Sequence, residues 1–162
     1  LFHMGQHEQA LQTIEESKKL YDLVVNVGGL QFLTMSYVEV YTLLGRYTEV
    51  VEIHESYINE TFRPWAKSNL AISYFHMGQA DRTNELINEI KNSQFNPGAS
   101  PSYHLAGVYA QMGDIESGFE SLKTAYSNHE VAMYRLKGNP YLQPLHSDPR
   151  WQEMLDKVGF PK

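Results

Sequence analysis

The chain contains no cysteine among its 162 residues. This absence excludes a disulfide framework and thiolate chemistry; it fits the cytoplasm and leaves a bacterial periplasm open. The sequence also has no apolar run as long as a membrane span and no recognisable secretory signal. We therefore expect a cytoplasmic protein without membrane insertion.

Basic residues are scarce as well. The chain has 13 Lys and Arg against 19 Asp and Glu, which gives a formal net charge of −6. Duplex binding needs a basic face, and anionic membrane surfaces attract clusters of Lys and Arg. We therefore expect no nucleic-acid partner. A chain of this length can bury a core and is most simply one domain, over residues 1–162.

Recognisable catalytic and metal-binding patterns are missing too. His3 and His7 lie four residues apart, but Gly5 separates them, so they do not share a helix face. No glycine-rich phosphate loop and no Gly-x-Ser-x-Gly nucleophile elbow occurs. The sequence therefore predicts no catalytic residue, no cofactor and no metal ligand.

What the chain does contain is a short pattern that occurs four times. In each copy Leu or Met is followed by glycine, and these glycines are Gly5, Gly45, Gly78 and Gly113. The intervals between them are 40, 33 and 35 residues. A nearly fixed period of this size is typical of stacked helical hairpins.

The residues around each glycine predict two helices. Before the later glycines, apolar residues recur at positions i, i+1, i+4 and i+7, which form one helix face: Tyr37, Val38, Tyr41, Leu44; Leu70, Ala71, Tyr74, Met77; Leu105, Ala106, Tyr109, Met112. Glycine then ends the helix, and a second amphipathic helix follows. The fifth residue after glycine is never large, as expected where helices cross closely: Ala10, Val50, Thr83, Gly118.

This pattern resembles the tetratricopeptide repeat, a helix–turn–helix unit of about 34 residues. The matching features are a Tyr near the end of the first helix, the Leu/Met-Gly turn and a small residue early in the second helix. The resemblance implies an all-α, right-handed solenoid of helical hairpins with repeats at about 1–22 (partial), 30–59, 62–92 and 99–128. The second helix of the partial repeat is expected at 6–21. The helices of the complete hairpins are expected at 30–44, 46–59, 62–77, 79–92, 100–112 and 114–127.

Residues 130–160 differ from the repeats, and we expect them to form a C-terminal cap. Asp148 is predicted to cap a last helix that has Pro149 in its first position and that Gly159 ends; Ser100 and Pro101 form a similar pair. A solenoid exposes the apolar side of its last hairpin unless something covers it. We therefore expect the tail to pack on that hairpin through these residues: Trp151, Leu155 and Val158 near Phe119, Leu122 and Tyr126. The alternative is that Trp151 is an exposed anchor for a partner.

The stretch from Pro144 to Trp151 resembles the ending of tetratricopeptide regions in bacterial multidomain signalling proteins. In those, Pro-Leu-x-x-Asp-Pro-Arg is followed by Phe or Trp. Their upstream domains are commonly class III nucleotide cyclases (adenylate or guanylate), winged-helix regulators or protein kinases. Because the chain starts inside a repeat, we expect it to be the C-terminal part of such a protein.

In the family, first-helix residues on the concave surface bind extended peptides. The matching positions here form a predicted peptide groove: Phe32, Met35, Glu39, Thr42, Trp65, Ser68, Ile72, Phe75, Tyr103, Gly107 and Ala110. The Lys and Asn residues with which some subfamilies clamp a terminal carboxylate are missing. An aromatic and apolar face suits a hydrophobic peptide or helix. The alternative is that the protein's own segments cover it.

We therefore expect a non-catalytic interaction or regulatory scaffold that binds a peptide or a partner protein. Two alternatives stay open: a structural spacer or homodimerisation module, and an enzyme with an unrecognised site. A cleft in which titratable side chains of perturbed pKa converge would favour the enzyme.

Overall fold

A computed structural model of the chain describes residues 9, 12, 13, 15, 16, 38–57, 64–93 and 98–160. Every regular element within these ranges is helical and none is a strand, which confirms the all-α class. The chain divides into two compact units, Leu1–Thr61 and Phe62–Lys162. The single domain over 1–162 stays a prediction.

In the first unit, residues 9, 12, 13, 15 and 16 are helical, as expected for a helix over 6–21. Residues 38–43 are also helical, and helix α1 follows at Tyr47–Tyr57. The core of this hairpin includes Val38, Val40 and Val50. The predicted turn at Gly5 lies outside the described residues.

The second unit begins with four helices: α2 (Pro64–His76), α3 (Ala80–Lys91), α4 (Pro101–Met112) and α5 (Ile115–Ser127). Short connections pair α2 with α3 and α4 with α5, and such connections make the partners antiparallel. Helix α4 also packs against both α2 and α3. The ends of these four helices lie within two residues of the sequence expectations.

The three described turns of the repeated pattern have the same geometry. Gly45, Gly78 and Gly113 have φ values of +74°, +74° and +78°. In each turn the residue after glycine donates its N–H to the carbonyl of the repeated tyrosine, five residues earlier, at 2.9 Å. A side chain strains the left-handed conformation, which explains why glycine recurs at this position.

The tail of the second unit continues in two 3-10 segments, η1 (Val131–Gly138) and η2 (Pro140–Leu145), and then in helix α6 (Pro149–Val158). The side chain of Asp148 accepts the N–H of Arg150 at 2.9 Å, and Gly159, with φ +85°, ends the helix. The predicted last helix and its two end signals are thereby confirmed. The 3-10 geometry of η1 and η2 was not predicted.

Helix α6 packs on the last hairpin. Trp151 is only 7% exposed and belongs to one core cluster with Phe119 and Leu122. Leu155 and Val158 are partly buried against the same cluster, so this part of the expectation is confirmed. Tyr126 is 40% exposed instead, because Ala125 is the residue of that last turn of α5 that enters the core.

Candidate functional site

The structure places the predicted groove residues in different surroundings. Phe32 and Met35 lie outside the described residues. In the first unit Glu39 is half-buried and Thr42 is buried. In the second unit four of the residues lie on α2 and are named the α2 face: Trp65, Ser68, Ile72 and Phe75. The other three lie on α4: Tyr103, Gly107 and Ala110.

The three groove residues on α4 are covered by the chain itself. Tyr103 and Ala110 are each 1% exposed. A Cβ atom built on Gly107 would lie 3.3 Å from the Cβ of Tyr141, which belongs to η2. The phenol of Tyr103 accepts a hydrogen bond from the Asn139 side-chain amide at 2.8 Å. We name the covering residues Asn139–Leu145 the cis segment; where it lies, the predicted groove is occupied.

Two side-chain amides hold the cis segment at Tyr141. The phenol of Tyr141 donates to Oδ1 of Asn69, on α2, at 2.6 Å. Nε2 of Gln111, on α4, donates to the backbone carbonyl of Tyr141 at 2.9 Å. Asn69 is fully buried, and its Nδ2 donates to the Trp65 carbonyl at 2.9 Å. Sequence reasoning missed both amides, because neither belongs to a motif and their partners are 72 and 30 residues away.

The apolar side of the cis segment enters the core. Leu142 and Leu145 are both 0% exposed, whereas Gln143 and Pro144 are exposed. In a 3-10 helix residues three apart share a face, so the two leucines point inward together. A Cβ atom on Gly118 would lie 3.1 Å from Cδ2 of Leu145. The small residue expected at this position of α5 therefore makes room for the tail.

The α2 face is less completely covered. Ser68 and Ile72 are buried at 4% and 2% exposure. The Ser68 hydroxyl donates to the Trp65 carbonyl at 2.7 Å. Trp65 and Phe75 are half-buried, so part of their aromatic surface is accessible to a partner.

A buried carboxylate fastens the start of the tail. Glu130, 2% exposed, accepts the backbone N–H groups of Ser102 and Tyr103 at 3.1 and 2.8 Å. These donors lie in the first turn of α4, where N–H groups lack helical partners. The expectation that the Ser100 side chain caps this helix is wrong. Ser100 has φ +51°, and its hydroxyl accepts the N–H of Ala132 at 2.9 Å instead.

Arg150 fastens the end of the tail. Its guanidinium donates to both carboxylate oxygens of Glu116, on α5, at 2.8 Å, and lies 4.4 Å from the centre of the Phe119 ring. It also donates to Asp148 at 2.8 and 2.9 Å. The hydrogen bond from Arg150 lowers the pKa of Asp148 to about 2 and also lowers the pKa of Glu116. The Asp-Pro-Arg-Trp stretch thus has a structural role in closing the tail onto α5.

Two histidines have strongly lowered pKa values. Burial lowers the pKa of His54, on α1, to about 4. Burial, with a smaller contribution from the positive charge of Arg135, lowers the pKa of His104, on α4, to about 3. Both imidazoles are therefore neutral near pH 7. In the part of the chain that the structure describes, no three His, Cys, Asp or Glu side chains are grouped so that they could hold a metal ion.

A cleft of about 570 Å³ opens between α3, α4 and α5. The carboxylates that line it are Glu116 and Glu120, and both are engaged in ion pairs: Glu116 with Arg150, and Glu120 with Lys123 at 2.6 Å. Within the described ranges, no helix is both long and apolar enough to cross a membrane.

Comparison of the chain with family models, curated proteins and solved structures found no match. The resemblance to tetratricopeptide repeats therefore depends on the sequence pattern itself. The hairpin geometry and the contacts of the tail come from the structure.

Proposed function

We propose that this chain is a non-catalytic protein-interaction and regulatory region, built as a right-handed solenoid of tetratricopeptide-like hairpins with a C-terminal cap. The packing of α4 against both helices of the preceding hairpin supports a stack of repeats. The observation that carries the functional proposal is the half-buried aromatic surface of Trp65 and Phe75 on α2. Separately, side chains of α2 and α4 bind a segment of the chain at Tyr141 through one side-chain group and one backbone group.

The partner that we propose is a peptide or a protein segment with hydrophobic side chains. The half-buried rings of Trp65 and Phe75 offer aromatic surface on α2. Aromatic residues are enriched at interfaces, and Trp is a frequent hot spot. The net charge of −6 disfavours nucleic acid, and we propose no cofactor and no catalytic residue.

We also propose that the chain belongs to the C-terminal part of a bacterial signalling protein of the nucleotide cyclase, winged-helix or kinase type, and that it acts in the cytoplasm. The resemblance of Pro144–Trp151 to the ending of such regions supports this proposal. The contacts of Arg150 and Trp151 supply a physical reason for the stretch, because they close the tail onto the last hairpin.

Peptides selected by phage display against the intact chain test the interaction function. We expect the selected peptides to lose about tenfold or more in affinity when Trp65 or Phe75 is replaced by Ala, as is usual for an interface anchor. Asn84→Ala, an exposed position on α3, is the matched control and should bind unchanged. Failure to select any peptide, or equal binding by all variants, would contradict the proposal.

Light scattering of the eluted peak in size-exclusion chromatography separates this function from a dimerisation module. We expect a monomer that binds the selected peptides with one-to-one stoichiometry. A stable dimer whose formation blocks peptide binding would instead favour the dimerisation module.

A further inference from the structure

We propose that the surface of α4 and α5, together with Asn69 of α2, is a peptide-binding site that is closed in cis by Asn139–Leu145. A segment of another chain binds there when it carries the same arrangement: a tyrosine, a leucine directly after it and a second leucine three residues further on. This inference rests on the proposed interaction function and adds the ligand chemistry and the means of regulation.

The polar contact with Asn69 selects the tyrosine. Oδ1 of Asn69 lies 2.6 Å from the Tyr141 phenol, on a residue that is 0% exposed. The amide cannot turn away without losing the bond from Nδ2 to the Trp65 carbonyl. A ligand without a hydroxyl group at this point would leave a buried acceptor without a donor, which is unfavourable.

The contact with Gln111 recognises the peptide backbone. Its Nε2 donates to the Tyr141 carbonyl at 2.9 Å, a group that every peptide has. Gly107 permits this approach, because a Cβ atom there would already be 3.3 Å from the Cβ of Tyr141. The site therefore combines one sequence-specific contact with one general contact, as peptide sites commonly do.

The apolar contacts show the two-sided pattern of a bound ligand. Leu142 and Leu145 are completely buried, whereas Gln143 and Pro144 between them are exposed. The leucines enter the core that α4 and α5 form, next to Gly118. A segment from another chain needs only the same spacing to fill these positions.

The flanks of the cis segment have polar contacts of their own, although Leu136 and Trp151 share one core cluster with the two leucines of the segment. Glu130 ties the start of the tail to α4, and Arg150 ties its end to α5. Gly138, directly before the segment, is exposed, and a Cβ atom there would meet nothing within 4 Å. In the proposed open state Tyr141, Leu142 and Leu145 leave the site, while Glu130 and Arg150 keep the rest of the tail on α4 and α5.

The experiment weakens the cis contacts and offers the segment in trans. The opened variant is Tyr141→Ala in the full chain. The matched control is Tyr134→Ala, which alters an exposed tyrosine of the same tail. The probe is a fluorescent synthetic peptide, Asn-Pro-Tyr-Leu-Gln-Pro-Leu. We expect the probe to bind the opened variant about tenfold or more tightly than it binds the unsubstituted chain or the control.

A second comparison tests the assigned contact. A probe with Phe in place of Tyr should bind the opened variant more weakly, and adding Asn69→Ala should abolish that difference. Equal binding of the probe to the opened variant, the unsubstituted chain and the Tyr134→Ala control would overturn the proposal. A loss of helical circular dichroism in the opened variant would also overturn it, because the segment would then be a permanent part of the core.

The two proposals fail separately. If the cis segment is not a ligand, peptides selected against the intact chain still depend on Trp65 and Phe75. If the interaction function is wrong, phage display selects no peptide that depends on Trp65 and Phe75. This outcome does not depend on whether the probe binds the opened variant.

Discussion

The two hairpins of the second unit have the same turn, but their inner sides are covered differently. In both, the first helix ends at a left-handed glycine, Gly78 or Gly113. On α4, Tyr103 and Ala110 are 1% exposed. On α2, Ser68 and Ile72 are buried as well, but Trp65 and Phe75 are only half-buried. We name α4 with α5 the covered hairpin and α2 with α3 the open hairpin. The repeated pattern thus specifies the helix pair, while the tail, which lies outside the repeats, contacts Tyr103 and Gly107 on the inner side of the covered hairpin.

The buried chemistry of the two first helices also differs. Helix α2 buries polar groups, namely Ser68, Asn69 and Ser73, while the buried stretch of α4 from Leu105 to Val108 is apolar apart from its backbone. The tail meets Asn69 on α2 through the phenol of Tyr141. It meets α4 through packing and also through hydrogen bonds to Tyr103 and Gln111. Substitutions in the tail and in the two hairpins test this difference between the covered and the open hairpin.

Trp151→Ala should have the largest effect, because it removes the aromatic that closes the core of the covered hairpin. Truncating a buried aromatic costs about 3–5 kcal/mol of unfolding free energy. Glu153→Ala, an exposed position on the same helix, should change stability by less than about 0.5 kcal/mol. Urea unfolding measures both. If Trp151→Ala is as stable as the unsubstituted chain, the packing of α6 does not stabilise the core.

Tyr141→Phe tests the link between the tail and the open hairpin. The change keeps the ring but leaves the buried Asn69 Oδ1 without its donor, so we expect a loss of about 1–3 kcal/mol. Tyr134→Phe is the control, because that tyrosine is 70% exposed. If urea unfolding shows equal stability for the two variants, the bond to Asn69 contributes nothing.

We expect His104 to make the covered hairpin sensitive to acid. Well above pH 6.5 its imidazole is neutral in both the folded and the unfolded state, so it adds no pH dependence there. As the pH falls below 6.5, the unfolded chain binds a proton that the folded one refuses until its pKa of about 3. Stability should therefore fall by up to about 1.4 kcal/mol per pH unit from this group.

Urea unfolding between pH 7 and pH 5 checks this dependence in His104→Asn, which should show a shallower loss than the unsubstituted chain. His76→Asn is the control from the open hairpin. The His76 side chain is exposed, although burial lowers its pKa too, so its replacement should change the slope less. Parallel curves for the unsubstituted chain and His104→Asn would contradict the assignment.

The smallest loss of stability is expected from substitutions in the glycine turn that the two hairpins share. Gly78→Ala and Gly113→Ala each place a side chain at positive φ, which costs about 1 kcal/mol. At neither position would the new Cβ meet an atom within 4 Å. The two losses in melting experiments should therefore be equal, and a much larger loss at one of them would show that the turns are not equivalent.

Local signals predicted much of this fold. The spacing of apolar residues and the repeated glycines placed the ends of the described helices within two residues, and Asp148 with Pro149 marked the start of α6. These features depend on neighbours in the chain. Each can therefore be read from a short window of sequence.

The contacts of the tail could not be predicted in this way. Tyr141 and Asn69 are 72 residues apart, and the carboxylate of Glu130 caps a helix that starts 29 residues before it. The 3-10 segment η2 is only 6 residues long, so its apolar residues do not form a recognisable periodic pattern. Its burial against Gly107 could therefore not be predicted. The sequence indicated a small residue at Gly118, but it did not indicate that Leu145 packs against this position.

The position of the cis segment on α4 is the central claim, and a disulfide tests it most directly. A Cβ atom at residue 107 would lie 3.3 Å from that of Tyr141, close to the roughly 3.5–4.5 Å that a disulfide requires. The unsubstituted chain contains no cysteine, so only the two introduced residues can form a disulfide within the chain. The measurement is the yield of intramolecular disulfide under mild oxidation in Gly107→Cys/Tyr141→Cys, with Gly107→Cys/Tyr134→Cys as control. We predict nearly complete closure in the first pair, because Leu142 and Leu145 still dock the segment and oxidation then traps it, and little closure in the second. No closure in the first pair, or equal closure in both, would contradict the account.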